Sequence, residues 1–471
     1  MDKFIDRKFE LEFLNDRWNK PGSQFIVVYG KRRIGKTELI KEFIKNKNTI
    51  YFICDRTTEK ENLRNLGRIA GNKFESSIVA ENGFNDWYQF FNFLKDELRG
   101  KIIVAIDEFP YLFSSNKAIS SIFQKGWDEI LKDLPVFLIL CGSSITMMLK
   151  ETIAYDAPLY GRKTEQIFLK PLSFYDAWDF FPDLSFDDFI KVYTVCGGIP
   201  LYLKQFSSKI SFLENLRINV FNKNSILYNE GDIILSEQLS ELRIYFAILK
   251  AMALGKTKFG EILNYTGLSK TSIHKYLYVL EELQLIKKEV PITEERPEKS
   301  RKGLYIIIDP FLNFWFKYIL PFKSEIESGN LDEVFKYIDR QFDLTTSFIY
   351  QDLCQDILKI KLKNTFKFNR IGRWWDSINK NYVEIDLVAF NEENKNILFG
   401  EAKWSKSKLG TNILNELKEK SAFVKWEMEN RKEYYILFSR SGFTEDLLRL
   451  AEAQKNIILV NKDQREKYKE L

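Results

Sequence analysis

The run Gly30-Lys31-Arg32-Arg33-Ile34-Gly35-Lys36-Thr37 constrains the fold of this chain more than any other feature. It fits G-x-x-x-x-G-K-[ST], and its flanks supply the context that such a loop requires. Before it, Phe25-Ile26-Val27-Val28-Tyr29 is a β-branched and aromatic run that predicts a buried parallel strand. After it, Glu38-Leu39-Ile40-Lys41-Glu42-Phe43-Ile44 places Leu39, Ile40, Phe43 and Ile44 on one helical face. Strand, loop and helix in that order wrap backbone N–H groups and the positive end of a helix dipole around a polyphosphate. Lys36 is expected to reach the β- and γ-phosphates, and the Thr37 hydroxyl to ligate Mg²⁺. Gly30, Arg33, Gly35 and Glu38 complete the expected nucleotide-binding set. Arg32 and Arg33 occupy variable positions, either touching phosphate or facing water. The expected ligand is a nucleoside triphosphate.

A chain of 471 residues exceeds what one core holds, so about two to four domains are expected. Charged residues make up 29% and hydrophobic ones 45%, which describes a globular chain and excludes a disordered one. The net charge of +5 neither demands nor excludes nucleic acid, and local patches must decide. Cys54, Cys141, Cys196 and Cys354 are scattered, which predicts reduced, mostly buried thiols in a cytoplasmic protein. His274 is the sole histidine, which argues against a zinc site and against Ser-His-Asp or Cys-His catalysis. No signal peptide and no 18-residue apolar span is read, so no membrane partner is expected.

Lys101–Ile106 is a second strand-like run, and it ends in Asp107-Glu108 about 70 residues after the loop. An apolar strand closing on two acids at this distance is the Walker B pattern. Asp107 is expected beside the Mg²⁺, with Glu108 polarising the attacking water. A third run, Pro135–Cys141, leads into Gly142-Ser143-Ser144. Either serine could touch the γ-phosphate or orient the water, and an N-cap for a helix starting near Ile145 accounts for them equally well. With Thr49–Ile53 and Gln166–Leu169, these runs predict about five buried strands alternating with helices. The expected class is α/β, a doubly wound sheet with nucleotide at the carboxyl ends of its strands.

Several segments occur in the order found in a known family. Phe4-Ile5-Asp6-Arg7-Lys8-Phe9-Glu10-Leu11 resembles the F-x-x-R-x-x-E-L lead-in of archaeal-type ATPases of the AAA+/STAND group. Gly30–Thr37, Ile106–Leu112 and Cys141–Ser144 resemble its Walker and sensor 1 motifs. Tyr160-Gly161-Arg162, Leu169-Lys170-Pro171-Leu172 and Gly197-Gly198-Ile199-Pro200-Leu201 resemble its later signatures, so the likeness spans residues 1 to about 225. The resemblance implies an ATP/ADP site selective for adenine, with Ile5 and Arg7 near the base and Pro200 packing on it from a helical lid. It also implies Lys36, Asp107, Glu108, Ser144 and Arg162 as catalytic groups. Arg162 would stabilise γ-phosphate charge in cis, or in trans within a homo-oligomer, or it would serve only in a surface ion pair.

From Leu239 to about Leu320 the pattern turns to short helices. Thr266-Gly267-Leu268-Ser269 followed by Thr271–Leu283 reads as helix-turn-helix, with the glycine in the turn, Ser269 as cap, and Ile273, Leu277 and Leu280 inward. Ile286–Val290 and Gly303–Ile308 predict the strands of a wing. Lys270, Thr271, Ser272, His274 and Lys275 would face a DNA groove, with Arg296, Lys299, Arg301 and Lys302 on phosphates of double-stranded DNA. The same module also serves as a packing or protein-contact unit.

Beyond Phe342 a further α/β unit is expected. Its helices lie near Leu344–Ile360 and Leu409–Trp426, and its strands near Thr365–Phe368, Tyr382–Phe390, Ile397–Ala402 and Tyr434–Phe438. Asp386, and 15 residues later Glu401-Ala402-Lys403, suit a D…E-x-K constellation. Two carboxylates on adjacent strands would hold one Mg²⁺, and Lys403 would position or activate water. Ile371-Gly372-Arg373-Trp374-Trp375 through Trp404 resembles the domain of unknown function fused behind these ATPases, placed in the restriction-endonuclease-like PD-(D/E)xK superfamily. Where that superfamily often carries a glutamate on its first helix, this chain reads Tyr350-Gln351-Asp352. Either Asp352 substitutes or the metal site is incomplete.

The expected organisation is a P-loop ATPase core (1–172), a helical lid (173–237), a winged helix (238–320) and a nuclease-like domain (321–471). The expected function is an ATPase whose nucleotide state controls the DNA-associated and nuclease-like parts. The alternative is an ATP-dependent signalling or defence switch acting through oligomerisation or protein partners.

Overall fold

The computed structural model describes residues 4–361 and 366–462. The chain divides into two compact units. One comprises residues up to Asp176 together with Gly198–Leu201, and the other comprises Ala177–Gly197 and everything from Tyr202 onward.

The first unit is built on β1 (Gln24–Tyr29), β2 (Thr49–Ile53), β3 (Ile102–Asp107), β4 (Val136–Gly142) and β5 (Glu165–Phe168). They lie in the order β2-β3-β4-β1-β5, and every neighbour is parallel. Every residue of β1, β3 and β4 is buried, as expected for strands covered by helices on both faces. This is the architecture the hydrophobic runs predicted. The abundant phenylalanines form much of the packing: Phe91 meets Phe123 edge-on at 5.3 Å, and Trp87 lies 4.9 Å from the same ring. Cys54 and Cys141, like Cys196 and Cys354 in the second unit, are free and buried.

In the second unit, helices Leu242–Ala253, Phe259–Thr266 and Lys270–Glu282 precede the antiparallel pair β6 (Ile286–Glu289) and β7 (Leu304–Ile307). Gly267 adopts a φ of 66° in the turn between the last two helices, a conformation that Cβ-bearing residues resist. Ser269 then caps the following helix by accepting the Ser272 N–H at 3.2 Å. Ile273, Leu277 and Leu280 are buried, as their spacing predicted.

The 31-residue helix Leu331–Lys361 contains the shorter one expected and leads into a mixed sheet. Its strands are β8 (Arg370–Ile378), β9 (Asn381–Asn391), β10 (Asn396–Lys403), β11 (Lys432–Ser439) and β12 (Ile457–Asn461), in the order β12-β11-β10-β9-β8. The expected strand near Thr365–Phe368 is corrected. Thr365 lies outside the described residues, positions 366–368 are not strand, and β8 supplies the edge two residues later. The helix expected over Leu409–Trp426 is shorter, Thr411–Ser421. Strand β12 carried no sequence reading; its Ile457 is buried in a core that includes Leu437 and Leu447, and its Val460 is buried as well. Among the described residues, no helix is long and apolar enough to cross a membrane.

Candidate nucleotide site and a second carboxylate site

In the first unit the loop Gly30–Thr37 leaves the carboxyl end of β1 and enters the helix Lys36–Ile44. A Cβ on Gly30 would stand 2.4 Å from the Leu169 carbonyl oxygen, so β1 and the chain after β5 close on each other only because Gly30 is glycine. Gly35 turns with a φ of 93°, and Arg33 with a φ of 66°. Lys36 is 5% exposed, and its ammonium donates to the carbonyls of Gly30 at 3.1 Å and Lys31 at 2.8 Å. Burial pulls its pKa below that of an ordinary lysine, with Glu108 and Asp107 acting in the opposite direction.

Asp107 ends β3 almost wholly buried and is held by three donors. The Thr37 hydroxyl reaches its Oδ2 at 2.7 Å, the Tyr51 hydroxyl reaches the same oxygen at 2.9 Å, and the Glu108 N–H reaches Oδ1 at 2.9 Å. Tyr51, at the third position of β2, was not read from the sequence, since a strand tyrosine carries no motif. Its phenol is raised far above the ordinary range by burial and by Asp107, so it stays a donor. Glu108 holds a left-handed φ of 52°, a conformation that costs a non-glycine residue about 1–3 kcal/mol and is concentrated at functional sites. Its Oε2 accepts the Ser143 hydroxyl at 2.7 Å.

Ser143 is thus the serine that touches Glu108. Ser144 sits half-buried at the N-cap of the helix Ile145–Met148 and makes no side-chain cap bond. Pro200 lies beside the loop, its Cγ 4.0 Å from where a Gly35 Cβ would be. Glu38 is exposed and pairs with Lys41 at 3.5 Å.

Ile5 is half-buried. Arg7 is buried, and one guanidinium nitrogen donates to the carbonyls of Ile34 at 3.1 Å and Lys170 at 2.7 Å. It ties the phosphate loop to the segment after β5. Arg7→Ala is therefore expected to destabilise the protein by about 2–4 kcal/mol, through loss of charged hydrogen bonds to buried carbonyls. A melting temperature equal to wild type would refute this bracing role.

Arg162 is not brought to the loop. It pairs with Asp128 at 3.2 Å in the turn preceding β5. Because β5 runs parallel to β1, that turn is at the amino end of the sheet, while the loop Gly30–Thr37 is at the carboxyl end. Six strand residues, about 17–20 Å, separate the two ends.

The second unit carries the other predicted constellation. The register pairing Gly400 with Leu387 sets Glu401 beside Asp386 on neighbouring antiparallel strands. Asp386 accepts the Gln351 side-chain amide at 3.0 Å and the Ala402 N–H at 3.0 Å. Glu401 is 4% exposed; its Oε1 receives Lys403 at 2.6 Å and Lys420 at 3.1 Å, while its buried Oε2 has no hydrogen-bond partner among the described residues. Burial first, and then the Glu401 charge, push Asp386 up to about 6. Burial pulls Lys403 down, but Glu401 and Asp386 outweigh it and hold this lysine above its ordinary value.

An orphaned buried carboxylate oxygen next to a second buried carboxylate fits a divalent cation. Two carboxylates suffice for Mg²⁺, which commonly completes its shell with waters and substrate phosphate. Among the described residues no third His, Cys, Asp or Glu joins the pair. At this place the helix presents Gln351 to Asp386, while the carboxyl of Asp352 has Lys287, Glu289 and Arg373 as its electrostatic neighbours. Neither Gln351 nor Lys420 carried a local sequence signal.

Of the residues expected to meet DNA, Lys270, Thr271, Ser272, His274 and Lys275 are all exposed. Arg296, Lys299 and Arg301 are also exposed, whereas Lys302 is engaged by Asp376 at 3.0 Å and Glu294 at 3.3 Å. The Trp375 indole donates to the Lys302 carbonyl at 3.1 Å, and the Ile292 N–H donates to the Arg373 carbonyl at 2.9 Å. The loop between β6 and β7 is thus fastened to β8.

Residues 4–206 match a family model described as an ATPase domain predominantly from Archaea. An uncharacterized protein of Methanocaldococcus jannaschii is 37% identical over 93% of this chain and 95% of its own length. The chain belongs to the archaeal-type P-loop ATPase family. Residues 315–422 match a second family model, of archaeal and bacterial proteins of unknown function. An uncharacterized ATP-binding protein of the same organism is 54% identical over 9% of this chain and 75% of its own. In fold, this family member resembles the Walker-type ATPase of Pyrococcus abyssi, with a TM-score of 0.50 and 20% identity over 67% of this chain and 96% of the other.

Proposed function

We propose that this ATPase-family chain binds ATP with Mg²⁺ at Gly30–Thr37, hydrolyses it to ADP and phosphate, and uses its nucleotide state to control nucleic-acid-associated parts of the second unit. The observation that carries the reading is the convergence of Lys36, the Thr37–Asp107 pair and the Ser143–Glu108 pair at the carboxyl ends of three adjacent strands. Thr37 and Asp107 are the pair that would hold Mg²⁺, whose role is to neutralise phosphate charge. Lys36 supplies a cation to the phosphates, Glu108 accepts a proton from water, and Ser143 orients Glu108. Any action of Arg162 on the γ-phosphate comes from a second copy, because its own sheet holds it at the opposite end.

Control follows from chain connectivity. Gly198–Leu201 belongs to the first unit, but the residues on both sides of it belong to the second. A shift of Pro200 against a bound base is passed along the backbone in both directions. The helix-turn-helix with its β6–β7 wing supports nucleic-acid association, and Asp386, Glu401 and Lys403 support metal-dependent phosphodiester cleavage. ATP binding by the full chain tests the first step. Lys36→Ala is expected to weaken binding about 10- to 150-fold, the worth of one charge-assisted contact. Unchanged affinity would remove Lys36 from the site.

A further inference from the structure

We propose that a groove in the second unit binds a single-stranded nucleic-acid segment, holding its phosphates on lysine and arginine and one base on Tyr382. The proposal rests on the nucleic-acid reading above and narrows it. The groove lies between the start of helix Lys270–Glu282, the loop before β7 and the β8–β9 hairpin, with a volume of about 600 Å³. Clefts of that size take small ligands or a short stretch of a chain.

Its walls are cationic. Lys258, Lys270 and Arg301 line it, from three separate segments, and none of them has a carboxylate partner among the described residues. Lys302 also lines it, but Asp376 and Glu294 already neutralise that lysine. Three uncompensated cations around one concavity raise the local concentration of a polyanion. Tyr382 is 48% exposed at the start of β9, and the Lys258 ammonium stands 5.6 Å from its ring centroid. Trp375 offers no such face, because it is buried and its indole fixes the Lys302 carbonyl. Phosphate-binding cations beside an accessible aromatic ring are the two elements by which proteins hold single strands.

The same walls disfavour a duplex. To read B-DNA, the start of helix Lys270–Glu282 would have to enter a major groove about 8.5 Å deep. Trp375, Asp376 and Tyr382 line the same concavity as Lys270 and His274, so the hairpin stands where the duplex backbone would pass. The fastening of the β6–β7 loop to β8 keeps it there. Tyr382 and Asp386 are four residues apart on one face of β9, about 13 Å. Glu384, between them, is ion-paired with Arg373. Tyr382 thus shares its strand face with Asp386, one member of the buried carboxylate pair.

The test is fluorescence anisotropy of the full chain with labelled single-stranded DNA, single-stranded RNA of the same sequence, and the DNA duplex, over a range of salt. One or both single strands are expected to bind more tightly than the duplex. Lys270→Ala with Arg301→Ala should reduce the salt slope by about 1.4, at about 0.7 per phosphate contact. Tyr382→Ala should weaken binding about 5- to 150-fold, and Tyr382→Phe should restore it, since stacking needs the ring and not the hydroxyl. These side chains are exposed, and equal melting temperatures will separate lost contacts from lost folding. Tighter duplex binding, or single-strand binding indifferent to all three substitutions, would overturn the groove proposal while leaving nucleic-acid association standing. Absence of binding to all three at low salt would overturn both.

Discussion

Glu108→Gln is expected to leave ATP affinity within a few fold of wild type and to cut turnover by about 10²- to 10⁴-fold, the usual worth of a general base. The substitution is selective because of where Glu108 sits. Its backbone is held at a φ of 52° by the turn after β3, with the Phe109 N–H donating to the Cys141 carbonyl at 2.8 Å. Glutamine keeps an oxygen that can accept the Ser143 hydroxyl, and it leaves the Thr37–Asp107 pair untouched. Only the carboxylate charge and its proton affinity are removed. Turnover equal to wild type would remove Glu108 from the mechanism. Loss of ATP binding instead would show that the residue serves the shape of the loop rather than the chemistry.

Asp386→Asn is expected to abolish Mg²⁺- or Mn²⁺-dependent nicking of plasmid and, independently, the stabilisation of the protein by Mn²⁺. Asparagine retains an acceptor for the Ala402 N–H, and the Gln351 amide can turn to meet its new donor, so the fold should survive. What disappears is the carboxylate that stands beside the orphaned Glu401 oxygen. A cation at one hundred times its dissociation constant stabilises wild type by about 2.7 kcal/mol, visible as a higher melting temperature. If Mn²⁺ raises the melting temperature of wild type and variant equally, the carboxylate pair is not the metal site. If nicking persists in the variant, the cleaving groups lie elsewhere.

Much of the first unit was legible residue by residue. Its three central strands are apolar runs buried along their whole length, and its loop has glycines where β1 closes on the chain after β5 and where the helix begins. Asp107 and Glu108 could be placed because they end a strand. Pairings across the sheet carried no such mark. Tyr51 reaches Asp107 from β2, and Ser143, rather than its neighbour, reaches Glu108. Arg162 was read as a catalytic candidate from its order in the chain, but strand direction puts it at the far end of the sheet.

In the second unit the helix-turn-helix was legible from Gly267, Ser269 and the spacing of Ile273, Leu277 and Leu280. The spacing of Asp386, Glu401 and Lys403 was visible too, but only the register of β9 on β10 makes it a site. Gln351 and Lys420 come from helices 35 residues before Asp386 and 19 residues after Glu401.

By itself, the sequence determined the local elements and the phosphate loop, because hydrophobic period, turn glycines and caps act over a few residues. Tertiary structure alone decided which polar groups share a carboxylate, which cations remain unpaired and which end of the sheet each residue occupies. Those depend on strand order and register, and contacts between distant segments leave no local pattern in the chain.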